Sequence, residues 1–189
     1  RAAAIQGQVT FKGVGFHYDG NGTGQLDGTT PAGSHRGGRR VLKEIEVDIE
    51  PGRRVALLGA TGSGKSTLVS LIPRFYDANQ GEIRVAGIDV RDWDPQSLRR
   101  HIGVVLQQTT LFSGTIRENI AYGRPDASLD EVFAAAKAAQ AHEFVLTMQD
   151  GYDSQVEERS ANLSGGQKQR IAFARALLIS PDILLLDDS

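Results

Sequence analysis

The chain has 189 residues, about one domain, with 21 basic and 23 acidic side chains and a net charge of −2. That balance leaves no electrostatic footprint for nucleic acid, and no apolar run approaches the roughly 18 residues a bilayer span requires. Hydrophobic residues at 40%, charged residues at 23% and no cysteine describe a folded domain without disulfides, thiolate-held zinc, iron–sulfur clusters or thiol catalysis.

Val9 and Phe11, then Val14, Phe16 and Tyr18, alternate with polar or small residues as a strand does, shifted once at Gly13. Residues 19–40 hold no periodicity and are dense in glycine, which predicts a flexible loop; its Arg36, Arg39 and Arg40 read as solvated. Leu42, Ile45, Val47 and Ile49 form a second strand, closed by Pro51-Gly52. The apolar run Val55–Leu58 predicts a short central strand buried on both faces. A helix is expected from Lys65 to about Phe75, and a hairpin over Glu82–Val90 turning at Ala86-Gly87.

Asp94-Pro95 marks a helix start, and Ile102–Leu106 another strand. Ser128 and Glu131 have capping-box spacing before an alanine-rich helix running toward Ala141, and a second helix is expected over His142–Met148. Gly165–Ile179 is helical, with Ile171, Ala174, Leu177 and Leu178 on one face, and Pro181 stops it. Ile183–Asp187 then reads as a buried strand delivering acids to its end. This order implies an α/β core with an all-helical subdomain near 108–165. An Arg at position 1 and a last strand ending on two carboxylates read as a fragment of a longer chain, and no signal-peptide leader opens it.

The strongest local signal is Gly59-Ala-Thr-Gly-Ser-Gly-Lys-Ser-Thr67. It fits G-x-x-x-x-G-K-[ST] between an apolar run and a helix. Gly59, Gly62 and Gly64 permit a turn whose successive N–H groups surround a phosphate, and Thr61 and Ser63 lie within that turn. The helix from Lys65 aims its positive end at the same anion. Lys65 is expected to reach the β- and γ-phosphates, and the Ser66 hydroxyl to ligate Mg2+. Asp187, at the end of the last strand, takes the position of the Mg2+ acid, and Asp188 that of a general base for the attacking water. Taken alone, four aliphatics and two aspartates equally describe a strand ending in solvated acids. Ser164-Gly-Gly-Gln167 at a helix start offers a hydroxyl, open N–H groups and a dipole end to an anion; locally it is equally an ordinary serine cap.

Together, GATGSGKST, LSGGQ and ILLLDD resemble the nucleotide-binding domain of an ATP-binding cassette (ABC) protein, and IGVVLQQTTLFSGTIRENIAYG (102–123) resembles the Q-loop region of its exporter branch. The resemblance covers 5–18 and 41–189. It implies a P-loop NTPase (RecA-like) core with an N-terminal antiparallel β subdomain and an inserted helical subdomain, truncated at the C-terminus. The divisions expected are 5–106 for the β subdomain and phosphate-loop core, 108–165 for the helical subdomain, and 166–189 for the signature helix and last strand. It further implies that Tyr18 stacks on adenine, that Thr67 contacts the α-phosphate, and that Gln107 touches Mg2+ or the attacking water and senses the transmembrane domain. Gln108 stands where a carboxylate is common. By the same resemblance Ser164, Gly165, Gly166 and Gln167 bind the γ-phosphate of ATP held by a second nucleotide-binding domain, and Glu158 faces transmembrane coupling helices of the same polypeptide. The implied setting is the cytoplasmic face of a membrane, with ATP and Mg2+ as cofactors and no nucleic acid. Trp93 and His142 receive no chemistry.

The chain departs from that pattern at three places. The 19–40 insertion is long, Glu157 and Ser160 stand where glycines are usual, and Asp188 replaces the expected glutamate. A carboxylate one methylene shorter implies a weakly hydrolytic site paired, in a heterodimer, with a competent one; a homodimer in which Asp188 works, a regulatory ATP clamp and a soluble ABC ATPase are the other readings.

Overall fold

The computed structural model describes residues 5, 7–18, 40–107, 109–157 and 162–187. They divide between Leu98 and Arg99 into two compact units. The loop expected over 19–40, and Gln108, Glu158, Ser160 and Asp188, lie outside the described residues, apart from the backbone of Arg40.

The first unit is built on a four-stranded antiparallel sheet in the order β2-β1-β3-β4, with β1 at Val9–His17, β2 at Arg40–Ile49, β3 at Gln80–Val85 and β4 at Ile88–Asp89. Val9, Phe11, Val14 and Phe16 point into the core. The inward face passes from odd to even positions at Gly13, whose φ of 58° forms a bulge, and the pairing with both neighbours shifts there. Opposite the bulge, Gly81 has φ 76°, and a Cβ on it would stand 2.3 Å from the Lys12 carbonyl oxygen. The hairpin between β3 and β4 turns at Ala86 and Gly87, both with positive φ, as a two-residue turn matched to strand twist requires.

Helix α1 spans Lys65–Leu71 and stops short of Phe75, because the chain reverses at Arg74 (φ 53°). The Arg74 guanidinium holds Asp77 at 2.7 Å and donates to the Arg91 carbonyl. Helix α2 (Pro95–Arg100) begins where the Asp94 carboxylate accepts from the Ser97 N–H.

The central strand expected at Val55–Leu58 is overturned. Residues 53–60 form no strand, and Leu58 is 93% exposed. An apolar run becomes a buried parallel strand only when neighbours pair both its edges and helices cover its faces. The parallel pairing among the described residues joins β5 (Ile102–Val105) to β8 (Ile183–Leu186) and includes no part of 53–60.

The second unit packs β5 and β8 against a helical group. Helices α3 (Ile116–Ala121), α4 (Leu129–Ala138), α5 (His142–Leu146) and α6 (Gly165–Leu178) surround Ile116, Ile120, Val132, Ala136, Val145 and Ile171, all but sealed from solvent. Each of the isoleucines and valines contributes roughly 1.5–3 kcal/mol by leaving water. The 108–165 region is not all-helical: β6 (Gly114–Thr115) pairs antiparallel with β7 (Gln155–Val156). Helix α4 ends before Ala141 because Gln140 turns left-handed at φ 56°. The buried strand expected at 183–187 is buried on one face only. Ile183 and Leu185 are covered while Leu184 and Leu186 are exposed, since the two-stranded ladder has α6 on one side.

Among the described residues three helices start on capping boxes: Thr115 with Glu118, Ser128 with Glu131, and Ser164 with Gln167. In each, the hydroxyl takes the N–H three residues on, and that residue's side chain returns to the cap's own N–H. The Thr115 N–H and hydroxyl hold the Glu118 carboxyl below its ordinary range, and Ser128 does the same for Glu131, aided by Arg124.

Candidate nucleotide site

In the first unit the glycine-rich turn leads directly into α1. Gly62 and Gly64 adopt φ of 80° and 94°, values that let consecutive N–H groups face one side. Gly64 is also the residue before the helix, and a Cβ there would press on Leu42 at 2.9 Å and on Val41. A Cβ on Gly59 would stand 2.6 Å from the Ser63 hydroxyl. Two independent pressures thus demand glycine at Gly64: backbone sign and lack of space. The Lys65 ammonium folds over the turn and donates to the carbonyls of Gly59 (2.9 Å) and Ala60 (3.1 Å). A flexible cation lies across a glycine-rich turn, and a cation and the backbone N–H groups of such a turn are both complementary to phosphate.

Tyr18 follows β1 and reaches the same helix. Its hydroxyl lies 3.0 Å from the hydroxyl of Thr67, which is buried. Phe16 meets the Tyr18 ring edge-on at 4.8 Å, and Tyr76 meets it at 5.4 Å and 90°. Edge-on neighbours hold an aromatic plane while leaving a face for stacking. Tyr76 was not singled out from the sequence, because the turn after α1 that brings it to Tyr18 depends on Arg74 adopting a positive φ.

In the second unit Gln107 and Asp187 are brought to one edge. Strands β5 and β8 run parallel with Val105 beside Leu186, and the Asp187 N–H extends the ladder to the Val105 carbonyl at 2.9 Å. Asp187 therefore leaves the carboxyl end of one strand, and Gln107 stands two residues past the end of the other. Ligand groups in open α/β sheets gather at such ends. Ser164 caps α6: its hydroxyl accepts from the Gln167 N–H at 3.3 Å, and the Gln167 side chain accepts from the Ser164 N–H at 2.8 Å. Ser164, Gly165 and Gly166 are exposed, and a Cβ on either glycine would meet open space. The helix end is presented to solvent while Leu163, just before it, is anchored in the core.

The ABC transporter family model matches residues 42–189, and the chain belongs to that family. YgaD of Bacillus subtilis (strain 168), whose name proposes a multidrug export ATP-binding/permease protein, is 47% identical over 189 residues, covering all of this chain and 30% of its own length. ATP-binding cassette sub-family B member 6 of Xenopus tropicalis is 48% identical over 183 residues, 97% of this chain and 20% of its own. Among solved structures, a bacterial Atm1-family ABC exporter with ATP bound superposes with a TM-score of 0.85 at 41% identity, over 98% of this chain and 30% of that one. The chain thus has the fold of the ABC ATPase domain, a P-loop NTPase of the α/β class with an antiparallel sheet near its N-terminus. It spans about 30% of the length of the first relatives it matches. Among the described residues no helix is long and apolar enough to cross a membrane.

Proposed function

We propose that this chain is the part of a membrane exporter that binds and hydrolyses ATP to drive transport. The observation that carries the reading is the phosphate turn: left-handed Gly62 and Gly64, the Lys65 ammonium across the turn, and Thr67 tied to Tyr18. The turn's N–H groups and Lys65 hold the phosphates, Thr67 takes the α-phosphate, and Tyr18 stacks on the base. Thr61 and Ser63 belong to the same cradle.

Ser66, Gln107 and Asp187 suit Mg2+ as hard oxygen donors. Among the described residues no three His, Asp or Glu side chains cluster. A single carboxylate is in keeping with Mg2+, which keeps waters and leans on substrate phosphates instead of a protein cage. When bound, the ion neutralises charge on the phosphates. Gln107 orients the attacking water, and Asp188 accepts its proton.

The partner is a second nucleotide-binding domain, whose ATP receives Ser164, Gly165, Gly166 and Gln167 from this chain. The transmembrane part belongs to the same polypeptide, with this domain on the cytoplasmic side. Asp188 favours a heterodimer in which this chain's own site turns over slowly and its signature completes a faster site. The test is the full-length protein in lipid: ATP binding by calorimetry and phosphate release with Mg2+. Binding with turnover supports the reading, and no ATP binding sinks it.

A further inference from the structure

Residues 109–115, which lead into α3, are held by one arginine from the far part of α6. The Arg175 guanidinium donates to the Thr110 carbonyl (3.1 Å), the Asn119 carbonyl (2.8 Å) and the Asn119 side-chain oxygen (3.0 Å). Asn119 is 1% exposed and clamps the same segment. It takes the Phe112 N–H at 2.8 Å and donates to the carbonyls of Phe112 and Thr115. The guanidinium lies over the Phe112 ring at 5.0 Å and the Tyr122 ring at 5.8 Å, and these two rings stack on each other at 4.2 Å.

This is a costly arrangement for mere packing. Burial holds the Arg175 pKa below its ordinary value, and among the described residues no carboxylate pairs with it. A leucine would fill such a place without desolvating a charge. What the planar fork supplies is three directed bonds, one to Thr110 in the segment and two to Asn119 of α3, the residue that clamps the segment at Phe112, with its cation over π faces. Thr110 stands three residues after Gln107, and the helix that bears Arg175 is capped by Ser164. We propose that Arg175 is a positioning residue that ties the segment following Gln107 to the signature helix and so keeps Gln107 at its working place. The inference rests on the role proposed above for Gln107.

The experiment uses the full-length protein with Arg175→Lys, Gln107→Ala and the double variant. Arg175→Lys keeps the charge and loses the fork. A residue acting through Gln107 affects the transition state more than substrate binding. Its kcat should fall about tenfold with the KM for ATP within about twofold, and in the Gln107→Ala background it should cost nothing further. An unchanged kcat, a loss confined to KM, or losses that multiply in the double variant would overturn the proposal. Amide exchange gives a readout that does not depend on turnover. The Phe112 amide should exchange faster in Arg175→Lys while α4 keeps its protection, and an unaltered Phe112 rate overturns the tether. If the unaltered protein turns over no ATP, the functional reading fails, and exchange still decides whether Arg175 holds this segment.

Discussion

The hydroxyls of Tyr18 and Thr67 stand 3.0 Å apart, joining the end of the first strand to the first turn of the phosphate-binding helix. The group proposed to stack on the base is thereby bonded to the group proposed to meet the α-phosphate. Tyr18→Phe keeps the ring and its edge-on contacts and deletes this bond. A neutral hydrogen bond is worth about 0.5–1.5 kcal/mol net, so ATP affinity should fall by roughly twofold to tenfold. Calorimetry on Tyr18→Phe and Tyr18→Ala checks it: full affinity in Tyr18→Phe with a loss confined to Tyr18→Ala would assign the whole effect to stacking.

Among the described residues Lys65 bonds to the carbonyls of Gly59 and Ala60 in its own turn. Lys65→Ala should leave the melting temperature nearly unchanged and lower ATP affinity by at least about tenfold, as expected for a charge-assisted phosphate contact. Wild-type affinity in the variant refutes the assignment.

Gly81 has no room for a side chain. A methyl group would stand against the carbonyls of Lys12 and Gly13, and the left-handed φ adds strain of its own. Gly81→Ala should cost about 2 kcal/mol or more, read by denaturant unfolding. Gly87→Ala is the control: its φ is also positive, yet nothing lies within 4 Å of the added atom, and its cost should be smaller.

Glu118 and Glu131 have carboxyls held below their ordinary range by the caps they serve. A group whose folded pKa is depressed contributes stability above its unfolded pKa and loses it as pH falls through the folded value. Both helix starts should therefore weaken once pH drops below the usual glutamate range. Melting curves of Glu118→Gln and Glu131→Gln should converge with the unaltered protein in acid and separate from it near neutrality.

Asp188→Glu addresses the base. A carboxylate one methylene short misses its water by more than 1 Å, which costs on the order of 10²-fold in rate. The longer side chain should raise the ATPase rate of the full-length protein. No rise, with Asp188→Ala silent, would make aspartate a competent base.

What the sequence disclosed follows from how local each feature is. The phosphate turn is nine consecutive residues whose glycine spacing and lysine carry their own physics. The three caps depend on residues three apart. Val55–Leu58 misled because parallel burial is conferred by neighbouring strands, and apolar content alone cannot report them. The pairing of Gly114–Thr115 with Gln155–Val156 is too short to leave a period of two. Arg175 and Asn119 were invisible for a different reason: their bond joins positions 56 apart, and each residue type is ordinary on a helix.

In the exporter proposed above, the cap at Ser164 has a consequence for the timing of the cycle. The start of α6 already satisfies its hydroxyl and its Gln167 amide from within, at the high effective concentration of a neighbour in the same chain. A phosphate arriving from another subunit can accept a bond from the hydroxyl's own proton at once, but it gains the Gln167 N–H only by displacing that hydroxyl, so for this donor the net gain is a difference between two bonds, not the whole of one. Such an exchange makes docking shallow and undocking quick. A subunit that must part from its partner after every turnover is better served by a helix end that can heal itself than by one left unsatisfied when the nucleotide departs.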